Sequence, residues 1–155
     1  MNITKLIISI LICQLAGVIG SVFTAPSITT WYATLEKPSF NPPGWVFAPA
    51  WTTLFLLMGI ALYIIWNRGL ENEKVKLAVI IFAVQLILNI LWSILFFGLK
   101  FPFLAFLEII LLWLVILVNI VKFYNISKPA GLLLMPYIVW VSFAVILNFF
   151  IFRLN

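Results

Sequence analysis

The sequence predicts an all-α integral membrane protein: a five-transmembrane-helix bundle with a long, Pro/Trp-rich first loop containing a short helix. Three observations carry that prediction. The 155 residues are 66% hydrophobic and only 8% charged, against about 45–50% and about 25% in a soluble domain. A water-soluble fold of this size exposes too much surface to hide that many apolar side chains. Five stretches, roughly 5–25, 45–66, 75–98, 102–123 and 130–152, reach the ~20 mostly apolar residues that cross a bilayer. Polar, proline or glycine punctuation separates them, and a single domain, 1–155, takes up the whole chain.

The first stretch follows Lys5 and invites comparison with a signal peptide. Its apolar run is longer than the ~7–15 residues of a signal core, and cleavage after Ala25 would set Phe23 where a small residue belongs and Pro26 directly after the cut. It is therefore read as a retained first span. The loop that follows, 26–44, carries "SITTWYATLEK", with Ser27 as an expected N-cap of the short helix. Pro38, Pro42 and Pro43 then end helical geometry and hold the chain extended. Pro49 falls in the first turns of the second span, and Pro102 and Pro129 open the fourth and fifth, where a missing N–H costs least.

Lys and Arg counts at the span ends set the orientation. Lys5, Arg68, Lys74, Lys76, Lys122 and Lys128 fall on one side; Lys37, Lys100 and Arg153 fall on the other. The expectation is an N-terminus inside, with the first loop and the C-terminus outside. The net charge of +5 is spread singly between apolar runs, so nucleic acid, which needs a stripe of cations, is excluded as a partner. The lipid bilayer is the partner such a chain implies.

Helical spacing gathers polar and aromatic groups on shared faces. Gln85, Asn89 and Trp92 align on the third span, Tyr137, Trp140, Ala144 and Asn148 on the fifth, Trp51, Phe55, Met58 and Leu62 on the second, and Gln14, Gly17 and Ser21 on the first. Polar groups in hydrocarbon face the bundle interior. They are either interhelical hydrogen-bond glue or the few polar groups of an apolar pocket. Trp45, Trp66 and Trp113 suit the aromatic belt at the membrane surface; Trp140 lies too deep for it. The small residues Ala16, Gly17, Gly20 and Ser21 suit close helix approach, within the bundle or at a dimer seam.

Catalytic parts are scarce. There is no histidine, no aspartate, one cysteine (Cys13) and no Gly-rich phosphate loop, which removes Ser/His hydrolysis, Cys/His zinc sites and any internal disulfide. No metal site is expected and no cofactor is required. Glu108 is the one acid deep in an apolar run, so it is either a proton-coupling group for a small transporter or a buried or snorkelling carboxyl. Light- or oxygen-driven chemistry on a bound chromophore needs only aromatic side chains beside it.

The strings "WYATLEKPSFNPPGWVFAPAW" (31–51), "QLILNILWSILFF" in the third span and "MPYIVWVSFAVILNFFIFRLN" in the fifth resemble the translocator protein family, also called tryptophan-rich sensory proteins or peripheral benzodiazepine receptors. The resemblance covers nearly the whole chain. It implies a bacterial-type member in the plasma membrane, homodimeric, with a pocket opening toward the first loop. It implies porphyrins such as protoporphyrin IX as ligand or substrate, along with synthetic isoquinoline carboxamides and benzodiazepines, and light-dependent porphyrin breakdown in some members. Carried onto this chain, it points to Trp31, Tyr32, Trp51, Asn89, Trp92 and Trp140 as pocket residues, with Ala144 leaving space for the ligand; Phe55, Gln85 and Tyr137 join them by helical face. Trp51 and Trp140 would be the oxidisable residues of a photo-reaction. Transport of porphyrin or another amphiphile using Glu108 is the rival reading. With no histidine to ligate iron, metal-free porphyrin is expected over haem. The tail "VILNFFIFRLN" lacks the tyrosine of the cholesterol pattern proposed for animal members, so cholesterol binding is not carried over.

Overall fold

The computed structural model describes all residues 1–155 and is wholly helical. Helix α1 spans Ile3–Ile28, α2 Phe47–Trp66, α3 Glu73–Ser93, α4 Pro102–Ile126, α5 Lys128–Leu133 and α6 Met135–Leu154. Five segments are long and apolar enough to cross a membrane; the last is α5 and α6 together. Their outer faces carry the residues a soluble protein would bury. On α1, Ile7, Leu11, Leu15, Val18 and Val22 recur at helical spacing and are all more than half exposed, a surface that only hydrocarbon solvates without cost.

Local chemistry sets the ends. Asn2 caps α1 through the Lys5 amide, and Asn72 accepts from the amides of Lys74 and Val75 at the start of α3, where Glu73 also complements the helix dipole. Pro102 and Pro129 stand in the first turns of α4 and α5 as anticipated. The fifth span is not one rod. Pro136, which has no N–H to donate, opens α6 directly after a break at Leu134.

Around the bundle, α1 packs between α2 and α3, α3 against α4, and α4 against α5 and α6, while α2 meets α5. Glycines allow the closest approaches. A Cβ on Gly59 would stand 2.7 Å from the Ile10 Cα, and one on Gly131 2.7 Å from the Tyr124 Cα. The small residues of α1 serve this internal packing: Gly17 abuts the Phe55 ring of α2 and Gly20 abuts Ser93 of α3. Ser21 is exposed and bonds only within its own helix, to the Val18 carbonyl.

Two expectations about local structure change. The α1 helix runs on through Pro26 to Ile28, so Ser27 is helical and buried instead of capping a loop helix; its hydroxyl donates to the Phe97 carbonyl at 3.0 Å. The loop holds two separate 3₁₀ turns, Tyr32–Thr34 and Gly44–Val46. Trp113, assigned to the interfacial belt, instead lies mid-helix, and its indole donates to Ser142 Oγ of α6 at 2.8 Å. Trp45 does project, 75% exposed, and Trp66 lies under the Lys5 ammonium.

Candidate functional site

A cavity of about 260 Å³ lies between α1, α2, α3 and α6; α4 takes no part in it. Three tryptophans wall it, one from each of α2, α3 and α6: Trp51, Trp92 and Trp140. Trp51 stacks on Phe55 (ring centroids 5.6 Å apart) and meets Trp140 edge-on at 6.4 Å. Trp140 in turn contacts Phe47 at 6.3 Å and Phe143 at 5.8 Å. These rings come together because residues three and four apart share a helical face, and Ala144, one turn beyond Trp140, leaves the space a larger side chain would fill.

Polar groups reach the cavity in small number. Asn89 Nδ2 donates to the Tyr137 hydroxyl at 2.7 Å, which donates to Gln85 Oε1 at 2.7 Å. Asn89 Oδ1 accepts no bond from the protein, so it is an acceptor left for an occupant. On the opposite wall, Gln14 donates to the Thr52 carbonyl at 3.1 Å, tying α1 to α2. Val18, Ser21, Ala25, Ala48 and Thr52 line the cavity and are also exposed, so its flank opens sideways between α1 and α2.

The sequence-derived residues divide. Trp51, Phe55, Asn89, Trp92, Trp140 and Ala144 line the cavity together. Gln85 and Tyr137 do not. Both are fully buried beneath it, with Tyr137 edge-on to Trp51 at 6.4 Å, and they act as the hydrogen-bond glue between α3 and α6. Asn148 plays the same part, accepting from the Trp92 indole at 3.0 Å and donating to the Pro102 carbonyl at 2.9 Å.

Trp31 and Tyr32 are also outside the lining. They form a plug above the cavity, Trp31 edge-on to Phe96 at 5.7 Å and Tyr32 against Phe47, Phe96 and Phe97. Burial pushes the Tyr32 hydroxyl up to about 12, so it stays a neutral donor through the physiological range, bonded to Asn41 Oδ1 at 2.6 Å. Lys37 is engaged locally, its ammonium 4.9 Å from the centre of the Tyr32 ring and bonded to the Leu35 carbonyl.

Sequence reasoning missed the π-helical turn Ile94–Gly98, where the Leu99 amide reaches back to the Ile94 carbonyl at 2.7 Å. Leu95, Phe96 and Phe97, all within this turn, are buried in succession. Phe97 thus reaches the cavity while Phe96 holds the plug. The only signal was the doubled Phe before Gly98. Phe47 and Phe143, the other missed rings, stand four residues before Trp51 and three after Trp140, where the same face rule would have found them.

Fold and site define a five-span membrane protein with an aromatic-walled cavity inside the bundle. Residues 9–154 match the TspO/MBR family. The tryptophan-rich protein TspO of Archaeoglobus fulgidus is 52% identical over 156 residues, covering 100% of this chain and 99% of that protein. TspO of Chlorobaculum tepidum is 46% identical, covering 99% and 98%. The human translocator protein is 36% identical over 138 residues, covering 88% and 82%. The chain belongs to the TspO/MBR family.

Proposed function

We propose that this protein is a membrane receptor for flat, hydrophobic ligands of the porphyrin class, protoporphyrin IX first among them, held between Trp51, Trp92 and Trp140. The meeting of three tryptophans from three helices around one cavity carries this reading. Ring stacking adds ~0.5–1.5 kcal/mol per aromatic pair beyond burial, and Asn89 Oδ1 supplies an acceptor for a pyrrole N–H. At about 260 Å³ the cavity lies just below the usual ~300–1,000 Å³ of small-molecule sites. A tetrapyrrole therefore inserts one edge and leaves the rest, with its propionates, toward the opening between α1 and α2. Synthetic isoquinoline carboxamides and benzodiazepines fill the same space. The protein sits in a bacterial plasma membrane as a homodimer, N-terminus inside, with the Pro/Trp-rich loop as its lid and the C-terminus outside.

The test is quenching of tryptophan emission by protoporphyrin IX in the dark, followed by porphyrin absorbance under light. Saturable quenching that weakens at least tenfold in Trp51→Phe/Trp140→Phe is expected; quenching that rises linearly in both proteins, as partition into micelles does, overturns the assignment. Trp51 and Trp140, two of the tryptophans that line the cavity, are the side chains to which we assign the oxidation. If they take part in light- and oxygen-dependent breakdown, single Phe variants keep binding and lose the decay of absorbance.

Transport is the second reading, carried by Glu108. Both its carboxyl oxygens are buried without a hydrogen-bond partner, and intramembrane acids of this kind mark proton and substrate pathways. Glu108→Gln keeps the shape and removes the titrating group. Porphyrin uptake into vesicles that stops while dark binding persists would favour a coupled transporter; unchanged uptake excludes it.

A further inference from the structure

We propose a second binding site on the membrane face, a groove between α2 and α6 that takes one acyl chain of a bilayer phospholipid and shares its wall with the central cavity. The seam between these two helices has no polar tie. Helix α2 packs against α5 at the far end of the fifth span, and none of the side-chain hydrogen bonds of the bundle joins α2 to α6; the ties run from α6 to α3 and α4. Aromatic rings meet across the gap, Trp140 against Phe47 and Trp51, and Tyr137 against Trp51.

Outside those rings lies an open groove of about 580 Å³, lined by Trp45, Pro49, Ala50, Leu54, Pro136 and Val139 among others, with Trp140 and Phe143 as its floor. Trp140 and Phe143 line the central cavity too. Apart from the indole N–H groups of Trp45 and Trp140, the groove offers a ligand almost nothing polar to bond. Its one hydroxyl, on Thr53, already donates to the Pro49 carbonyl of its own helix at 2.8 Å, and Pro49 and Pro136 have no N–H. A porphyrin carboxylate or a peptide would lose its hydrogen bonds there. A hydrocarbon chain loses none.

The dimensions select the same occupant. Trp45 to Leu54 is nine residues along the chain, or ~14 Å at 1.5 Å per helical residue, close to the ~15 Å that one leaflet contributes to the hydrocarbon core. Trp45, 75% exposed, stands at the loop end, where an indole sits at headgroup level. Val139, 65% exposed, opens the groove directly onto the lipid-facing surface. A phospholipid of the loop-side leaflet therefore lies with its headgroup at Trp45 and one chain down the groove. The chain's methylenes press on one side of Trp140 while the other side faces the cavity.

Phospholipid carrying brominated acyl chains is titrated into the delipidated, detergent-solubilised protein with no porphyrin present. The Trp140 signal is the emission of the natural chain minus that of Trp140→Phe. That signal is expected to fall saturably, with an end point of one lipid per protein, and to return when unbrominated phospholipid is added. Ala50→Phe, which fills the groove from α2, should abolish the saturable loss while Trp45 and Trp66 are still quenched in proportion to bromine in the micelle. Quenching of Trp140 that rises linearly with bromine and is not reversed by competitor overturns the site, whether or not Ala50→Phe folds. A coupling consequence rests on the porphyrin reading above: a chain pinning Trp140 changes porphyrin affinity, and porphyrin must change lipid affinity by the same factor. Failure of the porphyrin reading leaves the bromine titration unaffected.

Discussion

At the scale of single residues, the amides and aromatics that looked alike in the sequence separate into two jobs. Asn89 does both: its nitrogen holds Tyr137 and its oxygen faces the cavity. Tyr137, fully buried under Trp51 and bonded on both sides, does only one. Removing its hydroxyl therefore tests the division. Tyr137→Phe removes two interhelical bonds and is expected to lower bundle stability by ~1.2 kcal/mol, at the ~0.6 kcal/mol average for each in a membrane protein, while porphyrin affinity stays within twofold. Thermal unfolding in detergent beside a quenching titration reads both. A large loss of affinity with unchanged stability would put Tyr137 in the site after all. Helical spacing showed which residues share a face of one helix; the structure sets Trp51, Trp92 and Trp140, from three different helices, around one cavity. Spacing does not carry depth, so Gln85 and Tyr137 were grouped with residues that stand one layer above them.

At the scale of elements, apolar run length located all five spans, because a bilayer fixes how long an apolar helix must be. Their ends moved by up to three residues, as at Ile28 and Ile126. Those extensions are made of residues such as Pro26 and Tyr124–Asn125 that hydropathy does not read as membrane. What the runs hid was irregularity inside a span: the π turn at Ile94–Gly98 and the break at Leu134–Pro136. Both depend on how neighbouring helices pack, which a single run does not encode. The glycine contact between α1 and α2 is open to test at this scale. On an isolated helix Gly→Ala gains ~1 kcal/mol of propensity. At Gly59 the new methyl would stand 2.7 Å from the Ile10 Cα, a backbone atom that cannot turn aside. Gly59→Ala should instead destabilise by ~1–3 kcal/mol, the cost of an overpacked core. The same change would widen the opening between α1 and α2. A rise in melting temperature would mean that the two helices separate without penalty.

Across the whole molecule, the first loop and the last helix are bound to each other. Asn155 Oδ1 accepts from the Glu36 amide at 3.1 Å and its Nδ2 donates to the Glu36 carbonyl at 2.9 Å, joining residues 119 apart in sequence. Phe40 adds edge contacts to Phe143 and Phe150 of α6 at 6.0 and 5.6 Å. With the Tyr32 plug, these hold the loop over the cavity as a lid tied to the helix that carries Trp140. The tie is weak enough to open, since each net hydrogen bond contributes ~0.5–1.5 kcal/mol and this pair is exposed to solvent. If a bound porphyrin leaves past the lid, Asn155→Ala should raise its dissociation rate about fivefold, the equivalent of ~1 kcal/mol, with little change in melting temperature. Stopped-flow recovery of tryptophan emission measures that rate. An unchanged rate would place the exit elsewhere, through the flank between α1 and α2. Gly59→Ala, which loosens that flank, should then accelerate release where Asn155→Ala does not, so the two variants together decide which way the ligand leaves.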